Sequence, residues 1–269
     1  MGDRSGFVLV AVLSVTALLA LLTGGAVLLS RGAVETASVG DETLRAQALL
    51  RSGVELAGHQ LFVLRVDPAT LNGQQLRLDT GTVTIFAASE AGRVDLNGAD
   101  AVLLAAAYRA SGLSTLSPTD FAERVVDRRG GGGGTSFRLV ADLGEVPGVS
   151  SGDVAALAPF LTVYNPAGRI DPMFAPIALL QALPGVPEGI GPSLTDARGR
   201  GGLDRLFHLR AIFRGLESYL VLGEALRVFR VRVEAQGAAG GRVTRVEAVL
   251  IASVVSDRPF QITDWRALP

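Results

Sequence analysis

The sequence predicts an α+β fold in which a long N-terminal helix packs on a small antiparallel sheet, with an α-helical domain inserted between the early and late strands. Three observations predict it. An uncharged apolar run near the N-terminus passes into a segment of helical periodicity. Alternating segments follow this helix and recur at the end of the chain. The region between them has the pattern of short helices broken by glycine and proline.

The N-terminal apolar run is long enough to cross a membrane. Residues 7–30 carry no charge and are bracketed by Arg4 and Arg31. As a helix they would span roughly 36 Å, whereas the hydrocarbon core is about 30 Å thick. The run is too long for a cleaved secretory signal, and only a few residues precede it. We therefore expect one membrane span with the C-terminal part outside the cytoplasm.

Beyond the span, apolar residues recur at spacings of three and four, which is the period of one helix face. They are Ala46, Leu49, Leu50, Gly53, Val54, Ala57, Leu61 and Leu64. One helix of about 55 residues is expected, half in lipid and half packed on a sheet.

Strands are predicted where apolar and polar residues alternate between turn-forming residues. The early pair and the three late strands cover Gln75–Leu78, Thr82–Ala87, Leu226–Gln236, Val243–Val255 and Gln261–Trp265. The predicted division of the chain is a leader at 1–6, the span at 7–30, the helix continuation and first strands at 31–94, the helical domain at 95–214 and the last strands at 215–269.

The middle region contains an internal similarity. The segment Gly92–Ala99 (GRVDLNGA) resembles Gly168–Ala175 (GRIDPMFA), and a pair of leucines follows each copy. The offset is 168 − 92 = 76 residues. We expect two copies of a turn leading into a helix, with Asp95 and Asp171 capping the helix N-termini.

Two Pro-Gly-Val turns, in Leu143–Val149 and Leu183–Val186, resemble half of a helix-hairpin-helix. Such turns can hold a DNA phosphate on backbone amides, so a membrane-anchored DNA-binding or DNA-uptake protein is the alternative function. A compact helical turn is the other interpretation. Asp142, Glu145 and Asp153 flank the first turn, and this acidity favours the compact turn over nucleic-acid binding.

Composition narrows the functional classes. The 25 basic residues are all arginine and balance 26 acidic residues to a net charge of −1, which disfavours a nucleic-acid binder. The absence of cysteine excludes zinc fingers, iron–sulfur sites, thiol catalysis and disulfide scaffolds.

No enzyme is predicted. His59 and His208 are the only histidines, and neither has a triad or metal-ligand spacing. A periplasmic hydrolase would need acidic side chains converging on one of them. The glycine run Gly130–Gly134 lacks the lysine of a phosphate-binding loop, so it is expected to be a surface loop, as is Arg198–Gly202.

The junction of Gly6 and Phe7 resembles the type IV prepilin signal, in which a prepilin peptidase cuts after the glycine on the cytoplasmic side. Most of that superfamily has glutamate at the fifth mature position, where this chain has Ala11. A buried carboxylate needs a partner in the adjoining subunit. A subunit at a fibre tip has no such partner above it, and the K-type pseudopilins lack this glutamate.

The order of later motifs is similar to that of the general secretion pathway protein K family, the minor pseudopilins of type II secretion systems. The resemblance rests on the run from Glu90 to Ala99, the Val-Pro-Gly-Val turn, the Leu-Thr-Val-Tyr segment and a closing tryptophan. The matched positions are Glu90, Gly92, Asp95, Leu96, Asn97, Pro147, Gly148, Tyr164 and Trp265.

The resemblance implies a single-pass protein of the bacterial inner membrane, with its soluble part in the periplasm at the pseudopilus tip. It would initiate the pseudopilus and aid export of folded proteins across the outer membrane. Other minor pseudopilins and the prepilin peptidase would be its partners, and the new N-terminus would be a methylation site. Packing in the membrane would involve Phe7, Ala11, Leu18 and Leu22.

No metal or other cofactor is predicted. Relatives bind calcium, which needs about six or more oxygen ligands. An acidic stretch of the family is thinned here to Val126–Arg129, and the second repeat also departs from the family pattern at Asp171–Ala175. The resemblance therefore leaves calcium binding open.

Overall fold

The computed structural model describes residues 42–130, 136–222, 227–238, 240, 242–253 and 258–269. The predicted leader, membrane span and cleavage junction, with Gly6, Phe7, Ala11, Leu18 and Leu22, lie outside the described residues, as does most of the glycine run. Among the residues described, no helix is both long and apolar enough to cross a bilayer.

The first described helix, α1, covers residues 42–58 and ends in a π-helical turn, His59–Val63. Two glycines let it lie close to the sheet. A Cβ on Gly53 would lie 2.6 Å from Val233 Cγ1, and one on Gly58 would lie 2.2 Å from the Phe260 ring. Leu64, predicted on the packed face, is 59% exposed because the helical turns end before it.

A five-stranded antiparallel sheet has the order β1-β2-β5-β6-β7. Its strands are β1 Gln74–Leu78, β2 Gly81–Ser89, β5 Val228–Gly237, β6 Thr244–Ala252 and β7 Phe260–Leu268. The sheet joins early and late parts of the chain, as predicted. The last strand is longer than expected, because its pairing with β6 continues past Trp265 to Leu268.

The core between α1 and the sheet is built from alternate strand positions, because successive residues of a strand face opposite sides. The helix contributes Leu49, Leu50, Val54, Ala57 and Leu61, and the sheet contributes Val83, Ile85, Val231, Val233, Val246, Ala248 and Leu250. The opposite face of the sheet is more polar.

The region between β2 and β5 is mainly helical and has its own core. Its helices are α2 Ala101–Ala110, α3 Pro118–Gly130, α4 Ser151–Leu157, α5 Ile177–Gln181, α6 Gly191–Gly199 and α7 Gly202–Ile212. The largest fully buried side chains in this core are Tyr108 and Phe121, whose ring centroids lie 4.9 Å apart. Two short strands that the sequence pattern did not predict, β3 Val94–Asp95 and β4 Leu161–Thr162, pair in parallel.

The two ends of this helical part meet on neighbouring strands, since Ser89 pairs with Phe229. They meet where α1 ends, because a guanidinium nitrogen of Arg227 donates to the carbonyl of Leu61 at 2.6 Å. The helical part is therefore attached at the end of the sheet farthest from the start of α1.

Candidate functional site at the junction of the sheet and the helical part

Glu90 is the centre of the junction. Its side chain is fully buried at the end of β2. One carboxylate oxygen accepts a hydrogen bond from Arg230 Nε at 2.7 Å, and the other accepts from the hydroxyl of Thr162. Arg230 lies on β5 and Thr162 on β4, so this one carboxylate joins the sheet to the helical part.

Two arginines and a second carboxylate complete this charged cluster. Arg93 lies 3.5 Å from Glu90, and Arg230 also contacts Glu247 at 2.6 Å. Burial lowers the pKa of Arg93, an effect only partly offset by the nearby Glu90 carboxylate. Burial also acts to lower the pKa of Arg230, but the carboxylates of Glu90 and Glu247 together raise it above the ordinary arginine value. The cluster is therefore a set of buried charges that depend on one another.

Of the predicted aromatic residues, Tyr164 contacts the junction. Its hydroxyl donates to Asp264 on β7 at 3.4 Å. Burial and the Asp264 charge raise the pKa of this phenol. Trp265 follows Asp264, so it points to the other face of the strand. It is 44% exposed and is not brought together with the other motif residues.

Asp95 organises the turn that begins the first repeat. One carboxylate oxygen accepts from the amides of Asn97 and Gly98, at 2.8 and 2.9 Å, and the other accepts from the amide of Asn165 at 2.8 Å. The prediction that Asp95 caps a helix is wrong. The N-cap of α2 is Asp100, because the turn requires five more residues before the helix starts.

Leu96 and Asn97 hold the turn against the rest of the helical part. Leu96 is fully buried in the core. Asn97 exchanges two hydrogen bonds with the backbone of Phe137, of 2.8 and 2.9 Å. These two motif residues therefore have structural roles, one by packing and one by backbone pairing.

The two copies of the repeat lie against each other. A Cβ on Gly92 would lie 2.4 Å from the carbonyl carbon of Phe174, and one on Gly168 would lie 2.4 Å from the carbonyl oxygen of Gly98. The amide of Asp171 donates to the carbonyl of Ala91 at 2.8 Å. Glycine is required at 92 because the backbone of the second copy occupies the space of a side chain.

Each copy is held by one arginine, and the two arginines bind backbone carbonyls at equivalent positions of the repeat. Arg129 donates to the carbonyls of Leu96 and Ala99. Arg198 donates to those of Pro172 and Ala175, which lie 76 residues after Leu96 and Ala99. The repeat thus includes a matched arginine that the sequence comparison missed, because the two arginines are only 69 residues apart. Arg198 was expected in a solvated loop, but its guanidinium is partly buried.

Short parallel pairing also recurs in both copies. Val94 pairs with Leu161 in the first, and Ile170 forms a parallel bridge with Leu220 in the second. The second aspartate again holds a turn instead of capping a helix, because Asp171 accepts from the amide of Met173 at 2.8 Å and the N-cap of α5 is Pro176. Burial raises the pKa of Asp171 to about 6.

The Pro-Gly turns are compact. Gly148 and Gly185 have φ of +82° and +83°, a region that favours glycine. In the first turn the amide of Val149 donates to the carbonyl of Val146 at 3.1 Å, and the carbonyl of Pro147 accepts from Arg124 at 2.6 Å. The Val149 amide is used inside the turn, which supports the compact-turn interpretation over phosphate binding.

The described residues contain no group of three or more histidine or acidic side chains arranged to hold a metal ion. Calcium binding therefore stays an expectation that rests on the family resemblance alone. His208 donates from Nδ1 to the carbonyl of Asp204 at 2.8 Å, and His59 is exposed on the π-helical turn. Neither is joined by converging acids from distant parts of the described chain.

Comparisons with known proteins show which structures this chain is similar to. No protein-family model matches the chain, and no curated protein sequence matches it significantly. Among solved structures, it is similar to a chain of the GspK–GspI–GspJ complex from the type 2 secretion system of enterotoxigenic Escherichia coli. The TM-score is 0.54 at 12% identity, and the match covers 89% of this chain and 99% of that chain. The fold is therefore that of a chain of this type 2 secretion system complex, as the sequence resemblance predicted.

Proposed function

We propose that the protein is a minor pseudopilin that occupies the tip of a type II secretion pseudopilus, where it helps to initiate the fibre and to export folded proteins. The observation that carries the proposal is the similarity of fold to a chain of the GspK–GspI–GspJ complex, over nearly the full length of both chains. The function is one of assembly, and no catalytic step is part of it.

The position of the helical part supports a place at the tip. The apolar run precedes α1, and the helical part joins the sheet at the opposite end of α1, near Leu61 and Arg227. In a fibre whose subunits keep their apolar segments toward the membrane, the helical part would extend beyond the membrane-distal end. Ala11 is consistent with this place, since a subunit with none above it needs no carboxylate there.

The junction would make the protein a rigid cap. Glu90, Arg230 and Thr162 bind the helical part to the sheet through buried contacts, so force transmitted along α1 and the sheet would reach the helical part. The neighbours would be other minor pseudopilins, and the N-terminal segment would pack beside theirs in the inner membrane.

The first test is N-terminal processing. The full chain is co-expressed with a prepilin peptidase, and the N-terminal residue of the membrane-extracted protein is determined by mass spectrometry. A mature chain that starts at Phe7, with methylation measured in the same spectrum, is expected. Gly6→Leu is the matched variant and should stay uncut. A wild-type chain that keeps Met1 while a known pseudopilin is cut in the same cells would contradict the proposal.

The second test is assembly. The mature chain should co-purify with the other minor pseudopilins of its own host after mild detergent extraction, and fibre initiation should fall when it is deleted. If it instead incorporates along the whole fibre in stoichiometric amounts, the tip assignment is wrong although the protein is a pseudopilin.

A further inference from the structure

A cleft of about 290 Å³ lies where the end of α1, the sheet and the helical part meet. Its apolar lining includes Leu61 from the π-helical turn, Phe229 from β5, and Met173 and Phe174 from the second repeat. Its volume is at the lower limit of small-ligand pockets, which range over about 300–1,000 Å³. The space therefore suits one small molecule or one terminal side chain.

Three arginines from three separate parts of the chain line this apolar cleft. Arg65 follows α1, Arg205 lies on α7 and Arg227 precedes β5. None of the three forms an ion pair with a carboxylate within the described residues. Asp67 is the single carboxylate in the lining, and it accepts from the amide of Ala69 at 2.9 Å.

Two of the three arginines are held in place by backbone carbonyls. Arg227 donates to the carbonyl of Leu61 at 2.6 Å and stacks over the Phe62 ring, 5.3 Å from its centroid. Arg205 donates to the carbonyl of Arg200 at 2.7 Å. Burial and the adjacent Arg65 charge lower the pKa of Arg227. Three positive charges and one carboxylate therefore line the cleft, and none of the three arginines makes a direct ion pair within the described residues.

Arg65 has a strained backbone. Its φ is +55°, and it is the only non-glycine residue with positive φ in the described chain. Glycine, asparagine or aspartate is the ordinary choice in this conformation, and a long arginine there costs stability. This conformation ends the π-helical turn, since the amide of Val66 donates back to the carbonyl of Gln60 at 3.0 Å. It leaves Arg65 in the lining of the same apolar cleft as Arg205 and Arg227.

We propose that this cleft binds a carboxylate attached to an apolar group. The guanidinium forks of Arg65, Arg205 and Arg227 match the planar carboxylate, and the lining of Leu61, Phe174 and Phe229 receives the apolar part. Two sources share this chemistry, a small organic acid and the C-terminal residue of a polypeptide. The site does not depend on the proposed pseudopilus function, because it is formed entirely within this chain.

The test measures binding of N-acetylphenylalanine to the full chain in nanodiscs of phosphatidylcholine by isothermal titration, with empty nanodiscs subtracted. The amide of the same compound lacks the charge and should bind at least tenfold more weakly. Inorganic phosphate at equal concentration should not displace the acid. Equal binding of acid and amide, displacement by phosphate, or no binding at millimolar concentration would each overturn the proposal.

The matched variants separate binding from folding. Arg65→Gly removes one charge and suits the positive φ, so it should weaken binding at least fivefold while leaving the thermal unfolding temperature equal or higher. Arg210→Gln, on the same helix as Arg205 but outside the cleft, should bind as the wild type does. Equal losses in R65G and R210Q would overturn the site.

A short peptide ending in phenylalanine distinguishes the two sources. If acetyl-Gly-Ala-Phe with a free carboxylate binds more tightly than N-acetylphenylalanine, the site is one for a polypeptide terminus. If it binds more weakly, the site is one for a small acid. Both results support a carboxylate site. For the proposal to stand, the peptide and N-acetylphenylalanine must each bind R65G more weakly than the wild type.

Discussion

Replacing Glu90 by glutamine should destabilise the protein by about 3 kcal/mol, because removing one partner of a buried charged pair costs about 3–5 kcal/mol. The lower end applies for two reasons. The side chain of Arg230 is 16% exposed and still has Glu247 at 2.6 Å. The glutamine also keeps one oxygen that can accept from Arg230, while its amide nitrogen can donate to the hydroxyl of Thr162. Arg93 loses its nearest carboxylate, so most of the cost arises there.

The assay is urea unfolding of the full chain in nanodiscs, followed by the fluorescence of Trp265, the only tryptophan in the chain. Two variants serve as comparisons. Glu247→Gln removes a carboxylate that is 24% exposed and should cost about 1 kcal/mol. Glu188→Gln alters an exposed acid outside the cluster and should stay within about 0.5 kcal/mol of the wild type.

The relative losses in free energy of unfolding of E90Q, E247Q and E188Q test whether Glu90 is the centre of the junction. If E90Q costs no more than E247Q, Glu90 is not the centre of the junction. If E90Q matches E188Q, the buried network contributes nothing measurable and the rigid-cap argument fails with it.

The remaining predictions concern the two repeats. Gly92→Ala should cost about 3 kcal/mol or more in urea unfolding, because its Cβ would overlap backbone of the second copy, whereas Gly144→Ala, with open space around it, should be nearly neutral. Asp171 has a pKa of about 6 in the folded protein, above the ordinary aspartate value of 3.8, so it binds its proton more tightly in the folded state. Stability should therefore rise by at most about 3 kcal/mol as the pH falls from above 6 to below 4, and D171N should lose that rise in unfolding curves across this range. Arg129→Gln and Arg198→Gln each lose two carbonyl contacts and should cost similar amounts, about 1.5–3 kcal/mol each by thermal unfolding; a loss in only one of them would contradict the equivalence of the copies.

Periodicity predicted the elements that depend on local pattern. The helix face from Leu49 to Leu61 and the alternation of β5 and β6 follow directly from apolar spacing, and both lie where the pattern put them. The strands β3 and β4 could not be found in this way, because each has only two residues and pairs with a segment more than sixty residues distant.

The sequence predicted which residues form the site better than it predicted the role of each. Glu90, Asp95 and Asn97 were singled out by family resemblance, and the structure brings them to the turn between sheet and helical part. Their partners were missed because the signal is spatial. Arg230 is one of several arginines on the polar face of β5, and nothing in the pattern of that strand distinguishes it from Arg232.

The adjacency of Ser89 and Phe229 has a consequence for how the chain folds. Pairing β2 with β5 closes a loop of 229 − 89 − 1 = 139 residues. Loop closure of that length costs roughly 4 kcal/mol in chain entropy beyond the constant term, so the central strand pair would form slowly from an extended chain. If the helical part folds first, it brings its own two ends together and shortens the effective loop. Substitutions within the helical part should then delay formation of the sheet, far from the altered residue, and lengthen the time during which the β2 edge is open to wrong partners.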